Sequence, residues 1–221
     1  PEVREIVRRP FFAKVLDQTF GSVAGDDAFQ PQSEIDLIAK WWLRGGYIAE
    51  GQAALARQRA IVELGFIRAR HLERDIALRD LSPETFGTID ELVADGILQY
   101  VQAGHSVRFS HDILFEWAFL QVLAGRGDSW LEEIRACGEP PAVARVVELM
   151  SQWQYREADR WCASLDEINS SHMRSQWTRA WLLAPVLAPN FSTADATFAD
   201  AVMANNFHFL QMALVWFQAE R

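Results

Sequence analysis

The stretch Gly96–Leu123, GILQYVQAGHSVRFSHDILFEWAFLQVL, decides how the chain is read. Two alternating runs, ILQYV and SVRFS, flank QAGH, and a glycine in so short a connection marks a β-hairpin. The apolar run behind it reads as a helix that opens with Ser110-His111-Asp112. Packing accounts for the hairpin and for the helix. It leaves a histidine in the first helical turn unexplained.

Working outward, LSPETFGTIDELVADG carries Ser82 as a cap, Pro83 at the first helical position, Glu84 behind it and Gly96 as a stop. This pattern predicts one helix over 83–95. Before it, IALRDL alternates and predicts a short strand over 76–81, and ALARQRAIVELGFIRARHL is a helix by its period. The order helix, short strand, capped helix, hairpin is that of a winged helix, placed over 53–125.

Residues 1–52 read as a small helical domain. EVREIVRRPFFAKVLDQTF has helical periodicity broken at Pro10, which implies one helix ending before Arg9 and another starting at Pro10. GSVAGDDAFQPQ is a loop. SEIDLIAKWWLRGG has Ser33 as cap, acids in its first turn, a broad face of Ile35, Leu37, Ile38, Trp41 and Trp42, and Gly45-Gly46 as stop. From 126 to 221 every segment is helical, and short polar turns suggest antiparallel pairs stacked as a repeat-like array. A single helix is expected across STADATFADAVMANNFHFLQMALVWFQ. The fold class is therefore mainly α: a small helical domain, a winged helix with a short β-hairpin, then the array.

Composition narrows the function. The chain has 221 residues, 50% of them hydrophobic and 23% charged, with a net charge of −9. That balance is globular rather than disordered and disfavours free nucleic acid as a partner. Cys137 and Cys162 are expected as buried thiols in a reducing, cytoplasmic setting, and no apolar run reaches membrane-spanning length. The start at Pro1 without methionine suggests a piece of a longer protein. Of nine tryptophans, Trp153, Trp161, Trp177 and Trp181 are expected in packing between helices. His71, His105, His172 and His208 are given no role.

Missing motifs matter as much. Lys14 and Lys40 do not follow glycine-rich loops, so the chain lacks a GxxxxGK phosphate cradle. SLDEI at 164–168 lacks the apolar strand that precedes a magnesium-binding acid. The histidines show no HExxH or HxH spacing, so no metal site is expected. Consecutive Ser110, His111 and Asp112 point in different directions and cannot form a hydrolytic triad. The expectation is no catalytic residue and no enzyme activity in this chain by itself. A DNA-reading role is disfavoured because the 83–95 helix carries Glu84, Asp90, Glu91 and Asp95 without a cation, while Arg108 and His105 are all the wing offers.

VRFSHDILFEW behind a hairpin resembles the end of the winged-helix domain of STAND-type signalling NTPases, the NACHT and NB-ARC relatives. In that family a Met-His-Asp or similar triplet closes the winged helix and its histidine reaches the β-phosphate of ADP. Ser110-His111-Asp112 takes that place here, with serine for the usual apolar first residue. VRRPFFAKVL resembles the start of the family's small helical domain, where a proline packs by the adenine, which implies that role for Pro10. The resemblance covers roughly the first 125 residues by pattern. It implies His111 and Pro10 as nucleotide-contacting residues, no cofactor held by this fragment alone, and ADP or ATP in a parent P-loop NTPase whose core lies upstream. The implied partners are that nucleotide-binding domain of the same chain and a protein ligand of the helical arm, with no membrane.

A histidine at a helix start stands beside unpaired N–H groups and the positive end of the helix dipole, which attract phosphate and disfavour an imidazolium. His111 is thus expected to act as a neutral N–H donor, with Asp112 satisfying helix-start donors. Two other function classes stay open: a winged-helix transcription regulator with a helical effector domain, and a plain helical-repeat scaffold with an incidental hairpin.

Overall fold

The structure, a computed structural model, describes residues 10–20, 31–47, 49–71, 75–188, 191–192 and 195–219. The helix expected before Arg9 and the loop over 21–30 lie outside the described residues. The chain is mainly α-helical with one three-stranded antiparallel sheet, and it divides into two compact units, Pro1–Val143 and Ala144–Arg221.

In the first unit, α1 (Pro10–Phe20) starts at the proline, as a fixed φ and a missing N–H favour. It buries Phe12 and Val15. Helix α2 (Glu34–Leu43) opens on a full capping box: Asp36 N–H donates to Ser33 Oγ, and Ser33 N–H donates to Asp36 Oδ2. Ile35, Leu37, Ile38 and Trp41 are buried, whereas Trp42 is half-buried. The helix stops where expected, because Gly45 and Gly46 take φ of +55° and +112°. A Cβ on Gly46 would stand 2.3 Å from Ile97 Cδ1, so the turn also needs glycine for its close approach.

Helix α3 (Gly51–His71) is the spine of the unit. Strand β1 is only Ile76–Ala77, because Leu78–Asp80 turns into a 3-10 helix; the six-residue strand expected from alternation is two residues long. The helix expected over 83–95 is two short helices, α4 (Pro83–Phe86) and α5 (Ile89–Ala94). Thr88 Oγ1 donates to Glu84 O and Thr88 N–H turns to Thr85 O, so the ladder tightens between them. Glu63 of α3 fixes the start of α4. It accepts from Ser82 N–H at 2.7 Å, Ser82 Oγ at 2.7 Å and Thr85 Oγ1 at 2.6 Å.

Strands β2 (Leu98–Val101) and β3 (Ser106–Phe109) form the expected hairpin, in register from Leu98 opposite Phe109 to Val101 opposite Ser106. Gln102, Ala103 and Gly104 carry positive φ in its turn. Strand β1 pairs with the other side of β3, giving the order β1–β3–β2. Helix, short strand, helices and wing thus follow the winged-helix order. Behind β3 runs α6 (Asp112–Gly125), whose Ala118 lies so close to Gly65 of α3 that a Cβ there would meet it at 3.1 Å. Helix α7 (Trp130–Ala136) adds Glu133, buried between Arg70 and Arg126, each 2.9 Å away.

In the second unit, α8 (Ala144–Gln154), α9 (Ala158–Ser170) and α10 (Ser175–Leu183) pack around Trp161, Trp177 and Trp181, all fully buried. Ser151 Oγ donates to Trp181 O at 2.7 Å and accepts from Trp161 Nε1 at 2.8 Å, while Trp181 Nε1 donates to Trp161 O at 3.2 Å. These buried indole, hydroxyl and carbonyl groups are thus matched to one another. Trp153, with 37% of its surface exposed, is the least buried of the four tryptophans expected in packing. Cys137 is a buried thiol as expected, but Cys162 is half-buried. The last helix, α11 (Ala196–Ala219), is interrupted at Ala204–Phe207, where Asn205, Asn206 and Phe207 have φ of +53°, +56° and +60°. Asparagine tolerates the left-handed region, so Asn-Asn ends one helical run and starts another where periodicity implied continuity.

Candidate functional site

The His111 region is built from three elements. Strand β3 ends at Phe109, and Ser110 is held to the start of the hairpin by its N–H to Ile97 O at 2.9 Å and by Oγ to Gly96 O. This double clamp gives position 110 a reason to be serine where the resembled triplet has an apolar residue. His111 follows with φ −142° and ψ 143°, the extended geometry of an N-cap. Its Nδ1 accepts from Ile113 N–H at 3.1 Å. An Nδ1 that accepts carries no proton, and in an imidazole with one ring proton this leaves the proton on Nε2.

The ring is exposed at the surface. One face is covered by Phe11, the second residue of α1, with ring centroids 4.5 Å apart and planes 30° apart. Phe11 in turn meets Trp117 edge-on at 5.9 Å, Phe12 stacks on Trp117 at 6.1 Å, and Trp41 of α2 meets it at 5.4 Å. Trp117 Nε1 donates to Glu34 Oε1 at 3.0 Å. Helices α1, α2 and α6 therefore share one aromatic cluster, and His111 stands at its rim.

The helix-start donor at Ile113 is satisfied by His111, and Asp112 Oδ1 pairs with Arg68 of α3 at 2.7 Å. The Arg68 guanidinium lies 4.2 Å over the Phe115 ring, a cation–π contact on a nearly buried side chain. Arg108 on β3 pairs with Asp75 at 2.9 Å. A cavity of about 220 Å³ is lined by Arg68, Arg108, Gln99, Ser110, His111 and Asp112. Ligand pockets run from roughly 300 to 1,000 Å³, so this one has room for an anionic group rather than a whole nucleotide.

Pro10 is exposed and is the first residue of α1, so the helix it opens is the one that delivers Phe11 to His111. Pro10 adjoins in the chain the residue that stacks on His111. Phe11, Arg68 and Arg108 were missed. Phe11 stood beside Pro10, but its partner lies about a hundred residues away; Arg108 was read only as a wing cation, and Arg68 belongs to no motif. Among the described residues no group of three His, Cys, Asp or Glu side chains is placed to hold a metal ion. None of their helices is long and apolar enough to cross a membrane.

Fold and site together define a mainly α protein with a winged-helix element whose wing leads into a histidine-capped helix. No protein-family model matches the chain, and neither the curated proteins nor the solved structures contain a significant match to it.

Proposed function

We propose that this chain is the regulatory and interaction segment of a STAND-type signalling NTPase, holding a nucleotide-dependent closed state through His111 and carrying the start of a sensor arm. One observation carries the reading. The imidazole behind the wing is exposed, with Nδ1 committed to the helix cap and the proton left on Nε2. A neutral donor at a helix start suits a phosphoryl oxygen, and the same cavity is lined by Arg68 and Arg108, each already paired with a carboxylate, Asp112 and Asp75 respectively.

His111 would hold the β-phosphate of ADP through Nε2–H, while Pro10 packs by the adenine. Bound nucleotide supplies an anion to which an upstream core and the winged helix both attach. Loss of the His111 bond releases the winged helix with the arm behind it, a two-state element biased by differential contacts. The chain's own residues bind and orient; none is assigned a bond-breaking role. The reading of the winged helix as a DNA module is disfavoured by α4 and α5, whose exposed Glu84, Asp90 and Glu91 would face phosphates without a cation.

The test is His111→Ala in the full-length parent, read as ADP retained after purification and as basal signalling. A hydrogen bond to a charged group is worth about 1.5–3 kcal/mol, so retention should fall roughly 10- to 100-fold and signalling should rise. Unchanged nucleotide occupancy together with unchanged basal output overturns the proposal.

A further inference from the structure

We infer that Phe11 is a positioning residue for His111: by stacking on the imidazole it holds the ring in the one conformer that caps α6 and presents Nε2–H outward. As a statement about a ligand this rests on the function proposed above; as a statement about the ring it stands by itself.

The argument begins with what an exposed N-cap histidine lacks. A single hydrogen bond from Ile113 N–H to Nδ1 at 3.1 Å fixes one atom of the ring. Rotation about the side chain is otherwise opposed only by neighbours, and an exposed imidazole exchanges rotamers and tautomers readily. Phe11 supplies the missing constraint. At 4.5 Å and 30° its ring covers one imidazole face, and any rotation that removes Nδ1 from the cap also breaks the stack.

Phe11 is itself held. It meets the edge of Trp117, which is fully buried, packs against Phe12 and Trp41, and donates Nε1 to Glu34. The position of the imidazole is therefore set by α1 and α2, through aromatic contacts, and not by the wing alone. Any movement of α1 relative to α6 frees the ring, changing a pre-organised donor into one that must be ordered on binding. This gives the small helical segment a means of tuning the site without touching a ligand.

The experiment is long-range proton–nitrogen NMR of His111 in the 221-residue chain, with Phe11→Leu and Phe11→Tyr beside the native protein. Native protein should show one neutral tautomer, protonated at Nε2, and nuclear Overhauser contacts between the His111 and Phe11 rings. Phe11→Leu keeps an apolar side chain against Trp117 but removes the stack, and it should raise the share of other ring states by roughly two- to tenfold, the factor an aromatic pair represents. Phe11→Tyr should restore the native spectrum. Absence of the ring–ring contacts in native protein overturns the inference, and this holds even if a variant fails to fold. An Nε2–H tautomer in Phe11→Leu as dominant and as static as in the native chain overturns it too. A second arm separates this inference from the proposed function: ADP retention in the full-length parent carrying His111→Ala. Loosened imidazole spectra with retention unaffected would uphold the positioning role and reject the nucleotide reading.

Discussion

Replacing Arg57 by alanine removes a side chain that ties the turn after α2 to the end of α5. Arg57 has 5% of its surface exposed. Its Nε donates to Gly45 O at 2.6 Å, one terminal nitrogen pairs with Asp95, and the other lies 3.7 Å from Glu91 Oε2. Three segments distant in sequence meet on one guanidinium. The neighbourhood is electrostatically tight: burial first, and then the Asp95 charge, push the Tyr47 hydroxyl up to about 12.

The cost follows from what is left behind. Gly45 is buried, and its carbonyl would lose its guanidinium donor, which costs about 1–3 kcal/mol. Asp95 would lose its cation, but its side chain is 26% exposed, so water takes up part of the charge. The 3–5 kcal/mol typical of a broken buried pair is then a ceiling, and a loss of about 3 kcal/mol is expected in total. Because the chain divides into two compact units, a single melting transition is the wrong readout. Amide exchange at Gly46 and Ile97, whose N–H groups bond Trp41 O and Leu92 O at 2.9 Å each, reports on the site itself. Protection there should fall by about two orders of magnitude, with Arg57→Lys intermediate because a point charge cannot serve the fork of acceptors. A change below about 0.5 kcal/mol, or a lysine variant equal to the native chain, would refute the reasoning.

Ser151→Ala removes the hydroxyl shared by the Trp181 carbonyl and the Trp161 indole N–H, so about 2 kcal/mol should be lost, measured by amide exchange in α8 and α10. A native-like result would mean that these groups re-pair without the hydroxyl. Glu63 gives a pH test. Burial alone would raise its carboxyl, but the hydrogen bonds from Thr85 Oγ1, Ser82 Oγ and Ser82 N–H outweigh it and leave the pKa below the usual glutamate value. A group lowered on folding stabilises fully above its unfolded pKa, and that stability is lost as pH falls through the folded value. Glu63→Gln should therefore flatten the acid limb of local stability against pH, read from amide exchange at Phe86, whose N–H bonds Ser82 O at 2.9 Å, and identical acid limbs would contradict the assignment.

Local signals were legible where one segment decides the outcome. Ser33, Pro83 and Gly45-Gly46 mark helix ends by capping, fixed φ and positive φ, and each mark fell where the chain turns. The hairpin was equally plain, since alternation and Gly104 are both local. The failures share a cause. Alternation over 76–81 could not show that only Ile76 and Ala77 find a partner on β3. Periodicity over 192–218 could not weigh the two left-handed asparagines against an otherwise helical run. Asp112 stands in the first helical turn, where acids are favoured, but nothing local shows that Arg68, forty-four residues earlier, pairs with its carboxylate. The residues around His111 were the least legible: the stack of Phe11 on His111 joins residues a hundred positions apart, and no periodicity encodes such a pair.

That contact also changes how the two readings of His111 relate. From sequence, a capping histidine and a phosphate-contacting histidine compete, because each is a sufficient reason for the residue. In the structure the cap uses Nδ1 as an acceptor and covers no part of Nε2. Accepting at Nδ1 puts the proton on Nε2, which is the donor an anion requires. The cap thus selects the tautomer, and Phe11 selects the rotamer. Serine or aspartate at position 111 would cap α6 as well or better, yet neither could offer a fixed N–H beyond the cap. What distinguishes histidine here is the second nitrogen. His111→Ser should therefore keep the helix start within a few tenths of a kcal/mol of native stability while, under the proposed function, matching His111→Ala in loss of anion contact, and a serine variant equal to the native protein in nucleotide retention would leave the histidine as a cap and nothing more.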